Sequence, residues 1–300
     1  MIPLEPRYAT KQIMVGHVPV GGGTPITVQT MTKCPTEDEE RVLEEIEKIL
    51  EIYPKDLSDR EIGILKELEW LDLAESMAPF KSAFIRISVN NKAAAEVISS
   101  IVDRSPLPVV ADIHFNAKFA IAALEGGVHK LRLNPGNIRD IGLKKDIIHG
   151  CRDRNVPLRI GVNAGSIDPA MIEKHGGDPL AAMADSVMTE SAICESEGFH
   201  QLAYSVKTNK ADTTIKAYEK LAEMVYYPAH LGVTEAGVGT DAVINSLVGI
   251  GILLKRGIGD TIRVSLTESS ALEVIIGYLI LETLKLNGPD MRPVWGESIK

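Results

Sequence analysis

The stretch PVVADIHFNAKFAIAALEGGVHKLRLNPGN, residues 108–137, reads as a strand (108–113), a helix (116–126) and a second strand (129–133). Two apolar, strand-length runs joined by a helix-length segment are the unit from which parallel sheets are built. The same unit recurs along the chain. Further strand-like runs lie at 26–31, 83–88, 158–163, 202–206, 230–234 and 261–265. Further helical segments lie at 36–52, 91–104, 141–154, 179–197, 211–225, 241–255 and 269–286. Eight strands alternating with eight helices predict an α/β fold, a (β/α)8 TIM-type barrel, over an open doubly wound sheet. KQIMVGHVPV and the glycines at 21–23 predict an N-terminal β-hairpin that closes one end of the barrel. The barrel domain is expected over 1–290, with 291–300 as a tail or the start of a linker.

One connection is long. Residues 53–80 or so predict a helical insertion after the first helix, because Ser58 and Glu61 have capping-box spacing and an apolar periodicity follows. Such an insertion serves as a packing surface or as a contact for a partner.

Strand side chains alternate between two faces, so spacing by two is informative. Arg86 and Ser88, Asp112 and His114, Arg132 and Asn134 each share a face. So do Arg159 and Asn163, Ser205 and Lys207, and Arg263 and Ser265. Each pair lies near the C-terminal end of its strand, where barrel active sites are built. A single strand arginine is commonly salt-bridged or snorkelling. Several strand ends of this kind in one chain point instead to a shared anion. Arg86, Arg132, Arg159, Lys207 and Arg263 are therefore a candidate anion cluster suited to a diphosphate. Asn134, Asn163 and Ser265 supply neutral hydrogen bonds to the same ligand. Asp112 and His114 are candidate catalytic residues, as a proton relay or a substrate contact, and no third ligand beside them makes a metal site.

VTEAGVGTDA, residues 233–242, ends a strand and enters a glycine-bearing loop that opens a helix. That geometry suits phosphate, but Glu235 has the wrong charge for it. With the cations already claiming the anion, Glu235 is better read as an acid or proton relay, or else as a cap of the following helix.

VGHVPVGGGTPITVQTMT, PVVADIHFN, KLRLNPGNI, LRIGVNAGSID, SVKTN, HLGVTEAGVGT and GIGDTIRVSLT span most of residues 10–270. In this order they resemble the family of 4-hydroxy-3-methylbut-2-en-1-yl diphosphate synthases. The resemblance implies reductive ring opening of 2-C-methyl-D-erythritol 2,4-cyclodiphosphate in the non-mevalonate isoprenoid pathway. The reaction takes two electrons from reduced ferredoxin or flavodoxin and loses water. Carried over by position, Arg86, Arg132, Arg159, Lys207 and Ser265 become diphosphate contacts. Asp112, His114 and Asn163 become pocket residues, and Glu235 a catalytic carboxylate. The resemblance also implies a 4Fe-4S cluster held by CPTCG-type cysteines in a further small domain, and a homodimer in which that domain caps the partner's barrel.

The sequence departs from the pattern in four ways. QTMT stands for the usual QSMT and keeps a hydroxyl at Thr30; Cys34 stands where the family generally has Thr; the 53–80 insertion is unusual; and no CPTCG-type cysteines are present. Cys34, Cys151 and Cys194 match no family ligand position and form no CxxC pair. The expectation is a barrel that relies on a cluster domain in a missing segment or on a partner chain. The alternatives are a non-redox barrel that binds a diphosphate or docks a partner, and a pterin-binding type of barrel, which rests on fold analogy alone.

Composition narrows the partners. A net charge of −9 argues against nucleic acid, while leaving room for a small anion met by local cations. No apolar run reaches the roughly 20 residues that cross a bilayer, and the N-terminus has no signal core. No membrane partner and a cytoplasmic location are expected.

Overall fold

Strands and helices alternate along the chain as the 108–137 unit requires. In this computed structural model, which describes residues 7–138, 140–208, 211–233 and 237–286, the N-terminal strands are β1 (Ile13–Val15) and β2 (Val18–Val20). The barrel strands are β3 (Thr27–Met31), β4 (Phe84–Ser88), β5 (Val109–Ile113), β6 (Lys130–Leu133), β7 (Leu158–Asn163), β8 (Leu202–Lys207), β9 (His230–Leu231) and β10 (Thr261–Ile262). The helices are α1 (Glu39–Glu47), α2 (Asp59–Glu67), α3 (Leu71–Met77), α4 (Lys92–Arg104), α5 (Ala117–Glu125) and α6 (Ile141–Asp153). They continue as α7 (Pro169–Lys174), α8 (Pro179–Ser196), α9 (Ala211–Ala222), α10 (Gly239–Lys255) and α11 (Ser270–Thr283).

The barrel strands lie in the order β8-β7-β6-β5-β4-β3-β10-β9, and each neighbouring pair is parallel. A bridge between Tyr204 and Ala229, with Tyr204 N donating to Pro228 O at 2.9 Å, joins β8 to the chain entering β9 and closes the ring. The last two strands in the chain, β9 and β10, are shorter than their apolar runs. Arg263 N still donates to Leu231 O at 2.9 Å, and beyond that bond both chains leave the ladder for the mouth.

Two cores follow from strand alternation. Outward residues such as Val28, Ile85, Leu131, Ile160 and Val206 are buried under the helices in one large apolar cluster. Inward residues Phe84, Val110 and Ala203 join Ile13, Val15, Val18 and Val20 in a second, small one. The hairpin thus plugs the N-terminal end of the barrel. Its turn needs glycine: Gly16 has φ +60°, and a Cβ there would stand 2.9 Å from His129 Cδ2.

The long connection holds two helices, α2 and α3, after a 3-10 turn at Pro54–Asp56. The Ser58–Glu61 capping box is formed. Helix α7 has no counterpart in the pattern reading, although Asp168 followed by Pro169 is a start signal: the Asp168 carboxylate accepts from Ala170 N. Among the described residues no helix is long and apolar enough to cross a membrane.

Candidate active site

Alternation brings the polar strand residues together. Ser88 pairs with Asp112, Asp112 with Arg132 and Arg132 with Arg159 across β4, β5, β6 and β7, and Asn163 pairs with Lys207 across β7 and β8. Above the apolar plug, the inside of the barrel is therefore lined by charge. Arg86, Asp112, Arg132, Arg159 and Arg263 are all buried.

Asp112 organises one side of this mouth. Its Oδ1 accepts from Arg132 Nη1 at 2.8 Å, and its Oδ2 lies 3.4 Å from Arg86 Nε and 3.5 Å from His114 Nε2. Burial works against its charge, but Arg86 and Arg132 outweigh burial and hold the carboxyl well below its usual range. Asp112 is thus an ionised anchor with no proton to give at neutral pH. Burial lowers Arg86 to about 10, against the opposing pull of Asp112. Arg132 also donates to Gly161 O at 3.4 Å, and a Cβ on Gly161 would stand 2.4 Å from Arg132 Nε. Glycine is needed there for the guanidinium to lie flat against β7.

A second carboxylate was not evident from the pattern. Glu273, fully buried on the largely apolar α11, accepts from Arg263 Nη2 at 3.0 Å and from Lys33 Nζ at 2.9 Å. Thr30 Oγ1 at 2.6 Å and Leu266 N at 3.0 Å complete its shell. Arg263 in turn donates to Ser265 Oγ at 3.1 Å. Arg86, Arg132 and Arg263 are therefore compensated from within. Carboxylates of the chain itself thus already pair with part of the cation cluster.

The other part is Arg159 and Lys207. Arg159 donates to Ser205 Oγ at 3.3 Å, yet its Nε and Nη2 have no hydrogen-bond partner among the described residues. Lys207, at the end of β8, likewise has no carboxylate partner among the described residues. Burial, then the charges of Arg86, Arg159, Arg263 and Arg132, lower its pKa well below the usual lysine value. Beneath them lie Lys130 and His230, both fully buried, with Lys130 Nζ and both His230 ring nitrogens unpartnered among the described residues. Lys130 Nζ stands 5.6 Å from the Phe84 ring centre. Burial, then Arg159 and Arg86, bring Lys130 down to about 7. Burial, then Arg159 and Lys130, push His230 well below the histidine range. Lys130 and His230 escaped the pattern reading, although Lys130 shares parity with Arg132.

The remaining candidates divide. Asn134 is buried, but its Nδ2 donates to Ser166 Oγ at 2.9 Å and its Oδ1 accepts from Gly136 N at 3.2 Å, so its amide shapes its own loop. The Asn163 side chain is half-buried at the end of β7 and makes no hydrogen bond among the described residues. His114 is partly exposed beside Asp112. Glu235 lies outside the described residues. Thr30 keeps its hydroxyl for Glu273 and faces α11, away from the mouth.

The thiols do not suit an iron–sulfur cluster, whose ligands are thiolates. Burial, then Glu45, raise Cys34 to about 12. Burial raises Cys194 to about 12 and drives Cys151 upward as well. Among the described residues no group of three or more His, Cys, Asp or Glu side chains could hold a metal ion.

The family model described as the GcpE TIM-barrel domain matches residues 10–53 and 71–278, passing over 54–70. A curated relative from Symbiobacterium thermophilum, named 4-hydroxy-3-methylbut-2-en-1-yl diphosphate synthase (flavodoxin), is 41% identical over 280 residues, covering 93% of this chain and 68% of its own. The equally named protein of Geobacter sulfurreducens is 40% identical, over 93% of this chain and 71% of its own. The chain thus spans about two thirds of the length of these relatives. Among solved structures, Yersinia pestis dihydropteroate synthase superposes with a TM-score of 0.57 at 10% identity, covering 91% of this chain and 98% of that one. A truncated 3-deoxy-D-arabino-heptulosonate 7-phosphate synthase from Thermotoga maritima gives 0.56 at 12% identity, over 92% of each chain. Likeness at such identities shows the barrel fold alone.

Proposed function

We propose that this chain, which belongs to the GcpE TIM-barrel domain family, supplies the substrate-binding barrel for reductive ring opening of 2-C-methyl-D-erythritol 2,4-cyclodiphosphate. The product is 4-hydroxy-3-methylbut-2-enyl diphosphate; two electrons and two protons enter and one water leaves. The observation that carries this reading is the pair of mouth cations that have no carboxylate partner among the described residues, Arg159 and Lys207. Burying such charges costs several kcal/mol each unless a partner arrives, and a diphosphate is such a partner. Arg86 and Arg132, oriented by Asp112, and Arg263, oriented by Glu273, add donors that need no rearrangement on binding.

Asp112 positions its arginines and lies 3.5 Å from His114 Nε2, the candidate relay or substrate contact at the mouth. Glu235, a catalytic carboxylate by the resemblance, is assigned the role of an acid or proton relay toward the departing ring oxygen. Asn163 and Ser265 are assigned to neutral contacts with the substrate, and Asn134 to the shape of the loop that faces it. The 4Fe-4S cluster implied by the family supplies electrons when bound. The described thiols of this chain do not fit it. Flavodoxin, printed in the relatives' names, or ferredoxin is the proposed donor, and dimeric assembly and a cytoplasmic location belong to the same reading.

Calorimetric titration with the cyclodiphosphate tests the site. Lys207→Ala and Arg132→Ala should each weaken binding by about 1.5–3 kcal/mol, the worth of a charge-assisted hydrogen bond. Unchanged affinity in both variants would remove the anion site. In an assay supplying electrons and the cluster-bearing domain, Glu235→Gln should lower turnover by about 100-fold or more while leaving binding nearly unchanged. Binding by the unmutated chain without turnover in that assay would favour a non-redox diphosphate-binding barrel.

A further inference from the structure

The segment that the family match passes over, 54–70, is rooted in the core and reaches the mouth. Leu57, Ile64 and Leu65 bury its inner side in the main apolar cluster. Its polar side meets two loops. Glu61, nearly buried, accepts from Ser58 N at 2.9 Å and Ser58 Oγ at 2.7 Å through Oε2, and from Ser269 N at 2.8 Å through Oε1. Ser269 is the N-cap of α11 and ends the loop that follows Arg263 and Ser265.

The second connection runs through Glu268. Arg60 Nη2 donates to Glu268 Oε1 at 3.0 Å, and the same oxygen accepts from Gly239 N at 3.2 Å. Gly239 opens α10, has φ +63°, and has no side-chain cap from Val238. Its N–H is one of the unpaired donors at a helix start, where a carboxylate is also favoured by the helix dipole. One residue on, Thr240 Oγ1 donates to Glu67 Oε2 at 2.5 Å. Glu268 is therefore held between the insertion and α10, with its side chain only 4% exposed. The start of α10 and the loop before α11 are fastened to one rigid helix.

We propose that residues 54–70 are a rim brace, and that Glu268 is the positioning residue through which the brace sets the start of α10 and the β10–α11 loop at the mouth. The inference rests on the reading that this mouth binds the cyclodiphosphate, since the loop follows Arg263 and Ser265.

The test is amide hydrogen exchange at 237–242 and 263–272 in the full chain, paired with calorimetric titration of the cyclodiphosphate. Glu268→Ala should speed exchange at Gly239 and weaken binding, each by about tenfold, while Glu268→Gln, which keeps an acceptor, recovers most of both. Should Glu268→Ala fail to fold, Arg60→Ala combined with Glu67→Ala removes the attachments of the insertion to Glu268 and to Thr240. Arg60 is 64% exposed and carries little of the fold, so this pair should leave the melting temperature near that of the unmutated chain. Faster loop exchange with unchanged affinity overturns the positioning role and leaves the segment a surface ornament. Exchange at Gly239 unaltered in every variant overturns the brace itself. No binding by the unmutated chain overturns the diphosphate reading, and the positioning claim with it.

Discussion

The two sides of the barrel mouth solve the same electrostatic problem differently. On the side built from β4, β5, β6 and β10, each buried arginine has a carboxylate: Arg86 and Arg132 share Asp112, and Arg263 has Glu273. On the side built from β7, β8 and β9, with Lys130 beneath, Arg159, Lys207, Lys130 and His230 lie together with no acid between them among the described residues. The first side is pre-oriented and stable without a ligand. The second is destabilised by its own charges, which is where an incoming dianion gains most. Orientation and affinity are thus supplied by different strands.

The sharpest way to break this comparison is Asp112→Ala. It leaves Arg86 and Arg132 buried and uncompensated, so unfolding in urea should come easier by about 3–5 kcal/mol. A loss near zero would mean that both sides are alike. Lys130→Met probes the opposite side with the opposite sign. Lys130 titrates near its ordinary 10.5 in the unfolded chain and about 7 in the barrel. Between those values the unfolded state holds the extra proton, so stability rises with pH across that window, and the full penalty applies below about 7. The methionine variant should be more stable by up to roughly 4 kcal/mol at low pH and should lose that rise, while binding the cyclodiphosphate less tightly. Urea midpoints taken from pH 6 to 10 decide it. The smallest effect belongs to Thr30→Val, which removes one of several donors to Glu273 and should cost about 1 kcal/mol of stability with little change in affinity. A large loss of binding there would show that the Arg263–Glu273 pair is less self-sufficient than its geometry indicates.

Much of the site was legible because strand alternation is a local property. The period of two places Arg86, Asp112, Arg132, Arg159, Lys207 and Arg263 on the inner face, and the same parity extends to Lys130 and His230 deeper in the barrel. Helix α7 was also within reach, through Asp168 and Pro169. The asparagines show where the pattern falls short. Asn134 and Asn163 look equivalent in sequence, yet the amide of Asn134 is taken up by Ser166 and Gly136 while that of Asn163 has no such partner among the described residues.

By itself, then, the sequence determined the barrel, the face on which the charges gather and the end of the barrel at which they do so, because hydrophobic period and side-chain parity are set by neighbours along the chain. Only the tertiary structure decided which cations are neutralised. Glu273 reaches Arg263 and Thr30 because α11 packs on β3, a meeting of residues 243 positions apart that no local period records. It also decided that the insertion is rooted in the core and tied through Glu61, Arg60 and Glu67 to two mouth loops, since hydrogen-bond partners across a fold are chosen by packing and not by spacing.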